Sequence, residues 1–415
     1  MAAPATTACA THPKRDRVAS CGSCGQAICR ECVVHTGVGI KCRTCTGEKA
    51  PSGRGGRERP RWLVPAAIGG AVVLVGAVLT LRGGGGSGST DDEVRSVDAA
   101  GSQFPIERKI ELTGGGNTRI GATLTLPAAD KPPVAAVLII PGFGAIDRDA
   151  VMAIANTPDR SADRLSQDQN YSRPGSPDNL FKDFSSALVA LGVATLRYDK
   201  RGSGGSPLKD DQPLSYDDLV ADARAGVDFL GQRRETAAVP LALVGADQGG
   251  LIAMRLAATA PQVKSVALIS TFGRALADVI GGDLTRRGER GQREAEQLQA
   301  VAAQLVAGQP LPPPDQLLGN LQAVLRPLHE RYLRAVFTLD PVAEARAVKV
   351  PALVVRGGAD TTTTAVDTER LLRALPTGSE EQVFPDGDHN LGQNARRDAN
   401  LVAQVARWLV ARATA

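Results

Sequence analysis

Three residues that could share one catalytic task each lie directly after an apolar stretch of the chain. Asp247 lies in the glycine-rich segment 245–250, between the apolar run 241–244 and a helical run. Asp360 and His389 follow two later apolar runs. The glycines permit a sharp turn from strand to helix, with the helix packed closely on the strand. The order along the chain is therefore a carboxylate at the turn, an acid and a histidine, which suits nucleophilic catalysis with a histidine base.

The elements that must position these residues alternate between strands and helices. The predicted order is a hairpin (106–112 and 118–126), strand 134–140, helix 179–191, strand 193–197, helix 216–230, the strand and helix around Asp247, strand 263–270, strand 351–355 and strand 382–384. Alternation at this spacing predicts a mostly parallel sheet with helices on both faces, an α/β fold.

A helical insertion interrupts this alternation between about residues 273 and 345. Residues 294–307, 316–325 and 331–337 are predicted to form amphipathic helices, with a proline-rich segment at 309–314 between the first two. In this position such an insertion is expected to form a cap that covers the pocket and sets specificity. The alternative is a solvated excursion without substrate contact.

Residues 104–415 resemble the α/β-hydrolase superfamily, and within it bacterial esterases of the dienelactone-hydrolase and serine-aminopeptidase-like groups. Three stretches carry the resemblance: Leu-Ile-Ile-Pro-Gly-Phe-Gly at 138–144, Asp-Arg-Asp at 147–149 and Leu-Arg-Tyr-Asp-Lys-Arg-Gly-Ser-Gly at 196–204. The resemblance implies an α/β-hydrolase fold with a helical cap. We interpret the charges of 197–204 as architectural, tying loops together, without a catalytic role.

The same resemblance assigns roles to five residues. Asp247 takes the nucleophile position, Asp360 the acid position and His389 the base position. The backbone N–H groups of Phe143 and Gln248 are expected to form an oxyanion hole. The implied substrate is a small molecule, and no cofactor is implied for this domain.

Asp247 itself departs from the superfamily, which usually carries Ser at this position. A carboxylate attacking a carbonyl carbon would give an anhydride, whereas attack at a saturated carbon gives an alkyl-enzyme ester that a His-activated water can open. Epoxide hydrolases and haloalkane dehalogenases work in this way, but they usually follow the nucleophile with Trp, where this chain has Gln248, and Tyr332 is the only Tyr in the predicted cap. Three interpretations stay open: a hydrolase of ester or related acyl substrates, a hydrolase of alkyl substrates, and a silent binding domain with a static Asp247–His389 ion pair.

The first 50 residues have a different character, because all seven cysteines lie there. With one histidine they form four pairs, each with two intervening residues: Cys9 and His12, Cys21 and Cys24, Cys29 and Cys32, and Cys42 and Cys45. Eight such ligands suffice for two structural Zn²⁺ ions, and the short gaps favour a cross-braced order in which the first and third pairs share one ion. Disulfides are the alternative, but they would leave one cysteine over. The segment resembles B-box-like zinc-binding modules, so metal binding is expected to drive its folding and a protein partner is expected for it.

Residues 62–81 carry no charge, and a helix of this length would be about 30 Å long, enough to cross one bilayer. Four arginines between 54 and 61 precede this segment, which predicts a cytoplasmic N-terminus and an extracytoplasmic hydrolase domain. The segment begins too far along the chain to be an ordinary cleaved signal peptide. A cytoplasmic location of the thiols fits the reducing compartment. A buried core helix is the alternative.

The resulting organisation is a zinc-binding module (1–50), a basic linker (51–61), a transmembrane helix (62–81), a Gly/Ser-rich tether (82–103) and the hydrolase domain (104–415). The net charge of +4 hides an asymmetry, since the first 61 residues carry eleven Lys/Arg against four Asp/Glu. This basic stretch suits anionic lipid headgroups. No nucleic-acid partner is expected, because no aromatic residues interleave the arginines.

Overall fold

The computed structural model describes residues 105–128, 132–150, 179–208, 212–319, 321–393 and 396–415, with short N-terminal stretches at 11, 19–20, 26–29, 32–36 and 39–42. The chain divides into two compact units, Met1–Thr90 and Asp91–Ala415.

The larger unit is built on an eight-stranded sheet. Its strands are β1 (Ile106–Thr113), β2 (Arg119–Leu126), β3 (Ala135–Ile140), β4 (Val193–Tyr198), β5 (Leu241–Ala246), β6 (Val263–Ile269), β7 (Ala352–Gly357) and β8 (Glu380–Phe384). They lie in the order β1-β2-β4-β3-β5-β6-β7-β8. The first two strands pair antiparallel and the remaining six run parallel. The predicted α/β-hydrolase fold with a mostly parallel sheet is confirmed.

Helices cover both faces of this sheet, which explains why the central strands are apolar throughout. The helices outside the cap are α1 (Leu180–Ala190), α2 (Tyr216–Gln232), α3 (Gln248–Thr259), α9 (Ala365–Ala374) and α10 (Ala399–Thr414). On β3, Val137 and Ile139 face α1 and α10, while Leu138 and Ile140 belong to the core shared with α2, α3 and α9.

The region between β6 and β7 is helical, as predicted, but its elements differ from the prediction. It contains α4 (Leu276–Thr285), α5 (Glu289–Val306), α6 (Leu321–Val324), α7 (Glu330–Thr338) and α8 (Pro341–Ala347). The predicted helix at 316–325 was wrong: a 3-10 turn ends at Gln316, and only Leu321–Val324 is α-helical. Gly319, between them, has a left-handed φ of 44°, which a continuous helix does not allow.

The smaller unit contains two short antiparallel hairpins among its described residues. Ala19–Ser20 pairs with Ala27–Ile28, and Val33–Thr36 pairs with Gly39–Cys42. Between the hairpins, Cys29 and Cys32 are buried, and the Cys32 N–H donates to the Cys29 carbonyl at 2.9 Å.

The zinc-binding and transmembrane predictions fall largely outside the described residues. Five of the eight predicted ligands do so: Cys9, His12, Cys21, Cys24 and Cys45. The described part of the chain shows no cluster of three or more His, Cys, Asp or Glu side chains arranged to hold a metal ion. None of the helices that the structure describes is long and apolar enough to cross a membrane, and the predicted span at 62–81 is not among them.

Candidate active site

Asp247 lies in the sharp turn between β5 and α3, as the glycine spacing predicts. Its backbone adopts φ 52° and ψ −118°, a conformation that is uncommon for a residue with a side chain and that must be held by its surroundings. The Asp247 N–H donates to the Ile269 carbonyl at the end of β6, at 2.8 Å. Glycine is required around it: a Cβ on Gly249 would lie 2.3 Å from the Ile140 oxygen, and one on Gly245 would lie 2.3 Å from the Gly249 oxygen.

His389 and Asp360 lie at the same edge of the sheet and form a direct pair. His389 Nδ1 lies 2.8 Å from Asp360 Oδ2, and both side chains are buried. The other oxygen of Asp360 accepts the N–H groups of Thr362 and Thr363, at 2.8 and 3.0 Å. The Asp360 carboxylate is therefore oriented by two backbone donors, and it orients the imidazole in turn.

The surroundings of His389 favour its protonated form. Burial lowers the pKa of His389, but the charge and hydrogen bond of Asp360, with the charges of Asp247 and Asp283, outweigh burial and raise this pKa to about 9. Asp283 comes from α4 of the cap, and its carboxylate accepts the Thr362 hydroxyl at 3.1 Å. Burial raises the pKa of Asp283. His389 therefore carries a proton at neutral pH when the site holds no substrate.

The expected oxyanion-hole loop lies against Asp247. The Phe143 N–H, in the loop after β3, donates to Asp247 Oδ2 at 3.1 Å. This approach depends on the neighbouring Gly142, because a Cβ there would lie 3.1 Å from the Cβ of Asp247. Gln248 is the first residue of α3, where backbone N–H groups have no partner within the helix. The structure thus brings Phe143, Asp247 and Gln248 together at one edge and pairs Asp360 with His389.

Lys200 also belongs to this site, although the sequence did not predict it there. Lys200, just after β4, is buried, and its Nζ donates to the Gly142 carbonyl at 2.6 Å and to Gln248 Oε1 at 2.8 Å. The architectural interpretation of 197–204 fits its neighbours, since Asp199 pairs with Arg148 and Arg201 with Asp222. The position of Lys200 could have indicated this, because it follows a parallel strand adjacent to β3. Functional residues commonly lie at the carboxyl ends of such strands.

The cap contributes Tyr332 to the same cluster. Gln248 Nε2 donates to the Tyr332 hydroxyl at 2.7 Å, and the Tyr332 and Phe143 rings meet edge to face with centroids 6.4 Å apart. Burial raises the pKa of Tyr332, so its hydroxyl keeps its proton at neutral pH. Because the Tyr332 oxygen accepts from Gln248, its O–H hydrogen can point elsewhere in the site.

Comparisons with known proteins show similarity to hydrolases over part of the larger unit. Residues 176–306 match the family described as serine aminopeptidase, S33. The chain is 24% identical over 250 residues to Esterase EstD of Thermotoga maritima, a match that covers 56% of this chain and 57% of that esterase. The larger unit is therefore similar to esterases and related hydrolases, which agrees with its α/β-hydrolase fold. The chain thus spans little more than half the length of this relative.

Two solved structures are similar to this chain. The esterase Pf2001 of Pyrococcus furiosus superposes with a TM-score of 0.46 at 16% identity, covering 77% of this chain and 93% of that one. Est1E of Butyrivibrio proteoclasticus superposes with a TM-score of 0.46 at 15% identity, covering 73% of this chain and 99% of that one.

Proposed function

We propose that the larger unit hydrolyses small-molecule substrates of the ester type with Asp247 as nucleophile, His389 as base and Asp360 as the residue that orients the base. The hydrogen bond from the Phe143 N–H to Asp247 Oδ2 carries this proposal. In a serine hydrolase this donor would hold the oxyanion formed on the substrate. Here it holds an oxygen of the enzyme's own carboxylate, so the hole is placed to act on an ester that Asp247 itself forms.

In the first step, Asp247 Oδ1 attacks a saturated carbon and the bond from that carbon to its leaving group breaks. The leaving group departs with the electron pair, as a carboxylate from an activated alkyl ester, a halide from a haloalkane or an alkoxide from an epoxide. Alkyl–oxygen cleavage of an ester still yields acid and alcohol overall, the products of an esterase. Attack at the carbonyl carbon would instead give an anhydride, and the substrate oxygen would have to displace Asp247 from the Phe143 N–H.

In the second step, water attacks Cγ of the Asp247 ester while His389 takes a proton from it. The negative charge then develops on Oδ2, where the Phe143 N–H already donates and the Gln248 N–H is expected to join it. Collapse breaks the bond to the alkyl oxygen, and the alkoxide takes the proton back from His389. The carboxylic acid left at Asp247 passes its proton to His389, which restores the carboxylate and the protonated imidazole of the resting site, and the alcohol leaves with an oxygen that came from Asp247.

The raised pKa of His389 fits this order of events. The charge of Asp247 is one of the causes that raise this pKa to about 9. Alkylation removes that charge, so the pKa of His389 falls and the imidazole can lose its proton to solvent before the water attacks. The base is thus held protonated in the resting site and becomes competent once the ester has formed.

A covalent-trapping experiment tests the proposal. In His389→Gln the ester should form but not open, so incubation with activated alkyl esters, epoxides and haloalkanes should add the alkyl mass to Asp247 for the reactive class. His329→Gln is the matched control, since His329 is the other histidine beyond residue 104, and it should turn over without accumulating the adduct.

Two outcomes would contradict the proposal. Wild-type turnover without any adduct in His389→Gln would exclude the covalent carboxylate. An inert wild type together with an Asp247→Ser variant that gains no esterase activity would indicate a silent binding domain, with Asp247 and His389 as a static ion pair.

For the N-terminal part we propose a zinc-binding module that folds around two Zn²⁺ ions and contacts a protein partner. The paired spacing of its ligands supports this, as does the hydrogen bond that holds Cys29 and Cys32 close together. For residues 62–81 we propose one membrane crossing. It would leave the zinc-binding module in the cytoplasm and the hydrolase domain on the extracytoplasmic side of the membrane. The uncharged length and the arginines before it support that topology.

A further inference from the structure

Lys200 makes a contact that bears directly on the oxyanion hole. Its ammonium donates to the carbonyl oxygen of Gly142 at 2.6 Å. That carbonyl and the Phe143 N–H are the two ends of one planar peptide group. The other end of the same group donates to Asp247 Oδ2 at 3.1 Å. A buried cation, a peptide and the Asp247 carboxylate therefore form one continuous chain of hydrogen bonds.

We propose that Lys200 is a positioning residue of the active site, which polarises the Gly142–Phe143 peptide and so strengthens the Phe143 N–H as a donor to Asp247. The physical reason is peptide resonance: a cation at the oxygen draws electron density from nitrogen, and hydrogen bonds in series reinforce one another. The effect on Asp247 passes through the peptide rather than through direct contact. Its catalytic consequence rests on the function proposed above, whereas the polarisation does not.

Two further contacts place Lys200 at the centre of this corner of the site. The same Nζ holds Gln248 Oε1 at 2.8 Å, and the amide nitrogen of Gln248 donates to Tyr332 of α7 at 2.7 Å. Nζ also lies 5.7 Å from the centre of the Phe143 ring, within the range of a cation–π interaction. Lys200 thereby fixes the loop that carries the first oxyanion donor and the side chain of the residue expected to supply the second.

The charge of Lys200 is sensitive to pH. Burial lowers its pKa to about 8, against the opposing charges of Asp247 and of Asp222 on α2. Asp222 is paired with Arg201, and Tyr332 is uncharged in this range. Below pH 8 the Lys200 ammonium is present and polarises the Gly142–Phe143 peptide. Above pH 8 the amine is neutral and no longer polarises it.

The test is the amide resonance of Phe143 in the full chain, labelled with ¹⁵N-phenylalanine. The sequence has eight phenylalanines, so the spectrum is simple, and Phe143→Leu assigns the signal. In wild type the Phe143 amide proton should shift upfield with a midpoint near pH 8. In Lys200→Met it should lie upfield at every pH without that step, and in Lys200→Arg it should stay downfield without the step, because arginine keeps its charge.

Two control variants separate the effect of Lys200 on the Phe143 amide from effects of other charged groups. Lys264→Met removes an exposed lysine that also donates to a backbone carbonyl, that of Pro261 at 3.1 Å, and should leave the Phe143 signal unchanged. The step near pH 8 should persist in His389→Gln, which removes the other group titrating nearby. If Lys200→Met fails to fold, the wild-type titration and Lys200→Arg suffice.

Two results would overturn the inference: a Phe143 signal in folded Lys200→Met that coincides with wild type at pH 7, or a wild-type signal with no step near pH 8. In turnover, Lys200→Met should lower kcat about tenfold with little change in KM, and Lys200→Arg should restore most of it. A titrating Phe143 amide without any covalent adduct at Asp247 would sustain the role of Lys200 while refuting the proposed function.

Discussion

The pairing of His389 with Asp360 should make the stability of the larger unit fall as pH rises from 6.5 to 8. The pKa of His389 is about 9 in the folded protein against an ordinary 6.5. Between pH 6.5 and pH 9 the folded state keeps a proton on His389 that the unfolded state has lost. The contribution of this protonation to stability is therefore complete below pH 6.5 and absent above pH 9. Each tenfold change in proton affinity corresponds to about 1.4 kcal/mol, so the free energy of unfolding should drop by about 2 kcal/mol over this window.

Two other groups with shifted pKa values affect the stability outside this pH window. Burial lowers the pKa of His329, which makes stability rise with pH only up to about 6.5. The lowered pKa of Lys200 makes stability rise as pH passes from about 8 towards 10.5. Between 6.5 and 8 the slope therefore belongs mainly to His389.

Urea unfolding followed by the fluorescence of Trp408 measures this slope. Trp408 lies on α10, and Trp62→Phe removes the only other tryptophan. Asp360→Asn should reduce the loss between pH 6.5 and 8 to less than half, since only Asp247 and Asp283 would still raise the pKa of His389. Asp398→Asn, at the exposed N-terminus of α10, should keep the full slope. Parallel curves for wild type and Asp360→Asn would refute the coupling.

Three further predictions concern the turn, the metal and the membrane. Gly249→Ala should destabilise the larger unit by about 3 kcal/mol, because the new Cβ would lie 2.3 Å from the Ile140 oxygen. A Cβ on Gly231 would have nothing within 4 Å, so Gly231→Ala should be neutral or slightly stabilising. Equal urea midpoints for the two variants would contradict the packing argument. The full chain should contain two zinc ions by metal analysis, and a chelator should expose all seven cysteines to a thiol reagent; a metal-free protein with protected thiols would oppose this. Protease added to intact cells stripped of their outer layers should remove residues 90–415, and loss of the N-terminal module alone would show the reverse orientation.

The placement of the site could be predicted from the sequence because its signals are local. The glycines around Asp247 specify a strand–turn–helix, and parallel strands bring their carboxyl ends to one edge, which placed Asp360 and His389 near Asp247. The prediction of β3 to β7 was right for a related reason, since apolar runs of strand length have few other solutions in a chain of this pattern.

The features that were predicted wrongly or not at all depend on contacts between distant segments of the chain. The helix predicted at 316–325 is interrupted at Gly319, which has a left-handed φ and lies so close to α5 that a Cβ there would be 2.2 Å from Glu294 Oε1. Helix α4 was not predicted, because Gly281 and Gly282 lower its intrinsic propensity and tertiary packing overrides them. Lys200 looks like any lysine in a charged loop until the fold brings the Gly142 carbonyl to it.

A single turnover in heavy-oxygen water shows whether Asp247 is the nucleophile. The full chain, in excess over an activated alkyl ester, would be digested and the peptide containing Asp247 weighed. If Asp247 is the nucleophile, its carboxylate should gain one heavy oxygen while the acid and the alcohol both stay unlabelled, because water attacks the enzyme's own ester. Heavy oxygen in the released acid, with none in Asp247, would show that direct attack by water or an acyl intermediate carries the reaction and that Asp247 is not the nucleophile.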